Sequence, residues 1–316
     1  MERILKDRFL MKFRKKENSK ITYDTNIEGF YKFITKEKNF NTDIELVKSL
    51  SFDDVENYFY FLEDNGYKKS TINLKIIVIE EFFNYTIDRE IITSNYAKTV
   101  EKYSLSEIKE DKSEKYIPTI KEIEKIIKAS YSREANRKNE AFNNARDRFL
   151  ASLLSSTGMR IEEALGIKME DIEYIGNNAY MINIDGKRVK NGIDKRLPIP
   201  SSLMKYFEEY KLQRMIMNEK FNSDLLFFSY RGKKLSSNAL NNSWERLCDR
   251  ANINNHITNH CFRHFLSNYL QSKGYDIGLI YKVMGWKEHG IITVYSKKAN
   301  DKSYDNLKLE MCNILG

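Results

Sequence analysis

Apolar residues in the first hundred positions recur at helical spacing. Val55, Tyr58, Phe59 and Leu62 stand at i, i+3, i+4 and i+7, and Asn65-Gly66 supplies a stop. A further helix is expected from Ser70 as N-cap, with Ile72, Ile76, Ile79 and Phe83 on one face. An earlier helix is expected over 22–37, so that residues 1–105 form a small helical bundle. Between about 98 and 118 the periodicity gives way to charged, serine-containing sequence ending at Pro118, which reads as an exposed linker over 106–117. Helices are expected again at 120–129 and 138–156, followed by "STGMRIEEALGI", a glycine-containing loop feeding a short helix.

The period then changes from helical to alternating. In "AYMINIDGKRVKNGIDKRLPIP", Tyr180, Ile182 and Ile184 alternate with more polar residues, as in a half-buried strand. Asn191-Gly192 reads as a hairpin turn and 195–199 as the return strand. Helical patterning resumes at 201–219, 236–251, 258–273 and 276–284, with a short helix near 290–297 and a tail from 303. The fold class is therefore mainly α with a small antiparallel β-sheet, in two domains, 1–105 and 118–316.

Composition narrows the class of partner. The chain has 316 residues and a net charge of +8, of which residues 1–100 contribute nothing and residues 101–316 the whole. A basic balance with interspersed aromatics suits a polyanion, most simply nucleic acid. No apolar run approaches a membrane span, and "MERILKDRFLMKFRKKENSK" has no signal-peptide core, so a cytoplasmic location without membrane contact is expected. Cys248, Cys261 and Cys312 form no CxxC pair and read as reduced thiols.

The candidate chemistry begins at "HCFRHF". His260 and Arg263 lie three apart and share a helix face, His264 falls close to it, and Phe262, Phe265, Leu266 and Tyr269 anchor the other side. Arg160 follows a Thr-Gly turn at a helix start, where an anion is welcome. Lys190 sits at the hairpin tip and Tyr295 is one of 20 tyrosines. One at a time these are ordinary surface positions. His260 and His264 have the i, i+4 spacing of zinc ligands, but no glutamate follows His260 and Cys261 does not face them, so no metal is expected.

In order and spacing the same residues make a set. Arg160 in "TGMRIEEAL", a hairpin lysine ahead of "RLPIP", His260 and Arg263 in "HCFRH", and Trp286 nine before Tyr295 in "MGWKEHGIITVY" resemble the motifs of the tyrosine recombinase (phage integrase) family. The likeness runs from about 118 to 300, and the N-terminal bundle resembles the family's SAM-like core-binding domain. There are three departures. Trp286 stands where most members carry a second histidine, Asn95-Tyr96 replaces a common Asn-Pro, and the lysine has two candidates. Lys190, eight before Pro198, is preferred over Lys187, which follows a glycine.

The resemblance implies a site-specific recombinase that cuts and rejoins DNA through a 3′-phosphotyrosine and a Holliday junction, without a cofactor. It implies catalytic roles for Arg160, Lys190, His260, Arg263, Trp286 and the nucleophile Tyr295, with Glu163 and His264 supporting. Two guanidiniums answer the charge that builds on the phosphate oxygens, and a mobile lysine can protonate the departing 5′ oxygen. His260 can donate to the phosphate or accept the tyrosine proton, whereas the indole of Trp286 can only donate. Implied partners are double-stranded DNA, three further copies of the chain in a homotetramer, and accessory DNA-bending proteins. The tail "DKSYDNLKLEMCNILG" is expected to pack on a neighbour or on its own domain. Further DNA contacts are expected at Lys68 and Lys69, at Lys187 and Arg188, and at Lys233 and Lys234 in "RGKK". Heavy use of Lys, Asn, Ile and Tyr suggests an AT-rich coding genome of a bacterium, phage or mobile element. Two rival readings are a type IB topoisomerase and a non-catalytic DNA-binding protein on the same scaffold.

Overall fold

The computed structural model describes residues 1–36, 38–110, 116–132, 139–176, 179–188, 192, 194–284 and 301–315. Its contacts divide the chain into two compact units, Met1–Lys115 and Tyr116–Gly316.

Among its described residues, the first unit holds six α-helices: α1 (Ile4–Leu10), α2 (Glu17–Ile34), α3 (Asp43–Ser49), α4 (Phe52–Asp64), α5 (Lys69–Ile87) and α6 (Leu105–Glu110). Their stripes converge on an aromatic core in which Phe30, Tyr31, Phe82 and Phe83 have no exposed surface. Polar residues set the ends. Thr42 with Glu45, and Ser51 with Asp54, form capping boxes that satisfy the first amides of α3 and α4. The buried Asp43 reaches across to accept the amides of Leu5 and Lys6 at 2.9 and 2.8 Å, closing the start of α1. Gly66, at φ +70°, ends α4 where the Asn-Gly pair predicted a stop.

Two expectations for this unit are corrected. Ser70 is not the N-cap of α5. Lys68 takes that place with an extended backbone, and its carbonyl already accepts the amides of Thr71 and Ile72. The stretch read as linker is helical over 105–110, because Ser104 and Glu107 build another reciprocal cap: the Ser104 amide donates to Glu107 Oε2 at 2.8 Å and the Glu107 amide to Ser104 Oγ at 3.3 Å. Helices α1 and α3 also add to those expected.

The second unit is built around α8 (Glu140–Thr157), which packs against α7 (Ile120–Ala129), α10 (Met204–Asn218) and α12 (Asn259–Ser272). From Ala145 to Thr157 every residue of α8 is buried. A helix enclosed on all sides needs small residues, and its hydroxyls turn back on their own carbonyls: Ser152 to Arg148 at 2.9 Å, Ser155 to Ala151 at 2.8 Å. The short α9 (Ile161–Leu165) follows, then the three-stranded antiparallel sheet β1 (Ile172–Gly176), β2 (Ala179–Ile184) and β3 (Lys195–Ile199), in that order. Ile182 pairs with Ile172 on one side and Leu197 on the other, and Ile184 pairs with Lys195. The turn predicted at Asn191-Gly192 and the helix predicted near 290–297 lie outside the described residues, Gly192 apart. The chain continues through α11 (Ser237–Arg250), α13 (Ile277–Met284) and α14 (Asp301–Asn313). The tail packs on its own unit, where Leu307, Met311 and Ile314 join the core and Tyr269 donates to Glu310 at 2.8 Å. No described helix is long and apolar enough to cross a membrane.

Gly158, which ends α8 at φ +60°, is a tight joint of this unit. A Cβ there would stand 2.7 Å from Met284 Cε and 2.8 Å from Leu266 Cδ2. Gly158→Ala therefore combines a left-handed backbone with overpacking, and a loss of about 1–3 kcal/mol is expected in thermal or urea unfolding.

Candidate active site

Three segments distant in sequence meet at the end of α8. Arg263, on α12, is 6% exposed, and its two terminal nitrogens donate to backbone carbonyls: Nη1 to Gly158, Nη2 to Met284 at 2.6 Å. Gly158 closes α8 and Met284 is the last residue of α13, so the guanidinium sits where two helices present their negative ends. Burial, and then the positive charge of Arg160, bring Arg263 down to about 10. It remains protonated at neutral pH, and its bond to the Gly158 carbonyl, two residues before Arg160, brings the two arginines to the same end of α8.

Arg160 occupies the position before α9, half-buried, and is held by Glu163 one turn on. Glu163 Oε2 accepts the Arg160 amide at 3.1 Å and Oε1 accepts Nη1 at 3.1 Å. The same Oε2 receives Lys195 Nζ at 2.8 Å, and only 4% of the Glu163 side chain is exposed. Burial alone would raise this carboxyl. The hydrogen bond and charge of Lys195, followed by the bonds from Arg160, hold it below the ordinary value instead. Glu163 is thus an interior carboxylate and not a surface ion-pair partner. Arg160 and Lys195 bond the Glu163 carboxylate, and Arg263 is tied to the Gly158 carbonyl two residues before Arg160, so three cations against one carboxylate leave a surplus of positive charge suited to an anion.

The start of α12 is fixed from below. The indole of the fully buried Trp244 donates to Asn259 Oδ1 at 2.7 Å, and the Asn259 amide donates to Asn241 Oδ1 at 3.1 Å. His260, the next residue, is exposed in the first turn, and His264 is half-buried one turn later. Phe262, Phe265 and Leu266 are buried on the opposite side, as their pattern predicted. Lys190, Trp286 and Tyr295 lie outside the described residues. Among those described, no group of three or more His, Cys, Asp or Glu side chains could hold a metal ion, and Cys248 and Cys261 are free thiols.

The candidate DNA contacts divide. Lys187 is exposed on a 3-10 turn over Gly186–Arg188 that leads into the hairpin loop. Arg188 instead spends its fork on Asp171, at 2.9 and 2.6 Å, and so fastens the hairpin to the start of β1. Lys233 and Lys234 are exposed on the turn before α11, with Lys234 Nζ 3.8 Å from Glu162. In the first unit, Lys68 and Lys69 open α5 with no acid in its first turn, and Lys69 Nζ lies 5.3 Å from the Tyr103 ring centre.

Lys195 is the site residue that motif reading missed. Its signal was the strand period, since Lys195, Leu197 and Ile199 share a face, and a lysine on an apolar face needs a counter-ion. Trp244 and Asn259 carried no comparable signal, because their pairing depends on how α11 meets α12.

The mainly helical second unit thus gathers two arginines, from segments about 100 residues apart, at one end of α8. Comparison with known proteins is specific. Residues 107–302, more than half of the chain, match the phage integrase family. The tyrosine recombinase XerC of Herpetosiphon aurantiacus is 22% identical over 290 residues, covering 90% of this chain and 86% of that one. A tyrosine recombinase of Agathobacter rectalis is 29% identical over 248 residues, 76% of each chain. Among solved structures, the XerH recombinase in its post-cleavage complex with difH has a TM-score of 0.65 at 20% identity, covering 92% of this chain and 77% of that one. A lambda integrase dimer on a core site has a TM-score of 0.60 at 17% identity, covering 91% and 98%. At such identities the structural likeness speaks for the fold. The chain belongs to the phage integrase family of tyrosine recombinases. It is a tyrosine-type site-specific recombinase.

Proposed function

We propose that Tyr295 is the nucleophile and that Arg160 and Arg263 hold the scissile phosphate of a double-stranded DNA site. Arg160 held by Glu163, with Arg263 tied to the Gly158 carbonyl two residues before it, carries this reading. In the step proposed, the Tyr295 hydroxyl oxygen bonds to phosphorus and its proton passes to a base, for which His260 is placed on the same helix as Arg263. The P–O5′ bond breaks, its electron pair leaves with the 5′ oxygen, and a hairpin lysine ammonium supplies the proton. Lys190 is the preferred donor and Lys187 the alternative. Trp286 would donate its indole N–H to the phosphate and pack beside it. The phosphotyrosine keeps the ester, so a 5′ hydroxyl from a partner duplex can reverse the step without further energy.

The two compact units suit this division of labour. Residues 1–105 would serve as the core-binding domain, with Lys68 and Lys69 adding charge at the positive end of α5. Residues 106–117 would join it to the catalytic domain, 118–316. Exposed Lys187, Lys233 and Lys234 would meet DNA backbone, whereas Arg188 would act through the hairpin it fastens. A homotetramer on paired sites, exchanging strands through a Holliday junction, is supported by the solved lambda integrase tetramer on such a junction, which shares this fold. Action on DNA in the cytoplasm, without a membrane and with accessory bending proteins, completes the reading.

The test is covalent trapping. Wild type and Tyr295→Phe are mixed with fragments of the DNA flanking the gene, with EDTA present. A protease-sensitive protein–DNA adduct at one discrete site with wild type, and none with the variant, is expected. Adducts on any supercoiled DNA, accompanied by relaxation, would identify a topoisomerase instead, and tight binding with no adduct a non-catalytic binder.

A further inference from the structure

We propose that Lys195 is a positioning residue for strand cleavage. Its ion pair with Glu163 holds the base of the hairpin, Gly186–Arg188 and Asp194, against Arg160, and so acts on the proton that a hairpin lysine gives to the leaving oxygen. This rests on the reading above in which a hairpin lysine protonates the leaving 5′ oxygen.

The hairpin is closed at its neck. Lys195, the first residue of β3, pairs with Ile184 at the end of β2. Beyond that pair, the Gly186 amide donates to Asp194 Oδ1 at 2.6 Å. The legs are so close that a Cβ on Gly186 would stand 2.6 Å from the Gly192 carbonyl oxygen. Whatever shifts Lys195 therefore shifts Gly186, Gly192 and Asp194 at the neck beside it. Lys195 itself is tied inward: its side chain is 13% exposed and its ammonium meets the carboxylate oxygen that also holds the Arg160 amide. One buried carboxylate thus couples the hairpin to the arginine. The second clamp, Arg188 on Asp171, fixes the hairpin to β1.

A strand that only had to pair and pack would carry an apolar or β-branched residue at this inward position, and burying an ammonium there is costly without a partner. The ion pair is the feature that distinguishes the position. Its geometric consequence falls on the hairpin, since Arg160 keeps two bonds of its own to Glu163.

The experiment compares full-length wild type with Lys195→Met in single-turnover cleavage of the chain's own site. Each acts on DNA bearing either oxygen or sulfur at the 5′ bridging position of the scissile phosphate. A thiolate leaves without a proton because its conjugate acid is far stronger than an alcohol. Lys195→Met is expected to slow the oxygen substrate about 10- to 100-fold, a part of the factor of about 10²–10⁴ that general acid catalysis contributes. It should bind DNA as wild type does and cleave the sulfur substrate at close to the wild-type rate. Lys195→Arg, which keeps the ion pair, should restore most of the activity on oxygen. An equal loss on both substrates would overturn the proposal, because the lysine would then act through Arg160 or through the fold. So would the absence of any loss. Should Lys195→Met fail to fold, Lys195→Gln carries the same comparison with the same outcomes. Lys187→Ala and Lys190→Ala are run alongside. If sulfur rescues neither, the proton-donor reading fails on its own account, separately from the role of Lys195.

Discussion

Arg263→Lys is expected to slow formation of the covalent adduct by about 10²–10³-fold, the loss typical when one preorganised donor to a developing oxyanion is removed. DNA affinity should change little, since one exchange of cation for cation leaves the rest of the phosphate contacts in place. The Arg263 guanidinium spans the Gly158 and Met284 carbonyls with different nitrogens, at the ends of α8 and α13. A lysine ammonium is a point charge on a flexible stem and cannot span both carbonyls while facing a phosphate. One buried carbonyl would lose its donor, at a cost of about 1–3 kcal/mol, so a lowered melting temperature should accompany the slower cleavage. A variant that cleaved at the wild-type rate would show that the guanidinium is only a structural tie between helices. Arg263 also remains charged across the range in which DNA enzymes work, because burial and Arg160 lower it only to about 10. No loss of activity from its deprotonation is expected below pH 9.

Glu163→Gln is expected to give the largest loss of stability among single changes in the site. The amide keeps the shape but leaves Lys195, 13% exposed, without its counter-charge, and removing one partner of a buried pair costs about 3–5 kcal/mol. The remaining solvent contact of Lys195 favours the lower end. The change also alters pH dependence. Glu163 has a folded pKa below the ordinary 4.5, so it contributes stability that is fully present above about pH 4.5 and is lost as pH falls through the lower folded value. Melting temperatures measured from pH 7 to pH 3 should therefore fall less steeply for Glu163→Gln than for wild type on the acid side. Parallel curves separated by a constant offset would mean that the carboxylate is not held by these cations.

The elements that were legible in the sequence are those whose residues carry their own pattern. Val55 to Leu62 announces α4, and Phe262 to Leu266 announces the buried side of α12. Tyr180 to Ile184 announces β2. The strand β1 escaped because Glu173 and Tyr174 are exposed, so an edge strand with little burial shows no alternation. Helix α6 escaped although Ser104 and Glu107 have capping-box spacing, since no apolar stripe follows them. Ser70 misled because good N-cap chemistry is only a preference, and the backbone of Lys68 had already begun the helix. At the site, the motifs named the arginines and Glu163, but no local pattern reports that Arg263 is buried against carbonyls 105 and 21 residues away. Lys195 lay between these cases. Its place on the inward face of β3 was readable, while its partner, 32 residues back, was a matter of tertiary structure.

Transfer of a DNA strand to Tyr295 leaves a covalent mark on one short peptide. The most direct measurement is to trap the adduct on the chain's own site, digest it with trypsin and sequence the DNA-linked peptide by mass spectrometry. Cleavage after Lys287 and Lys297 releases residues 288–297, a peptide with a single tyrosine. DNA attached to that tyrosine is the expected result. Attachment to any other residue, with Tyr295→Phe still forming the adduct, would show that Tyr295 is not the nucleophile.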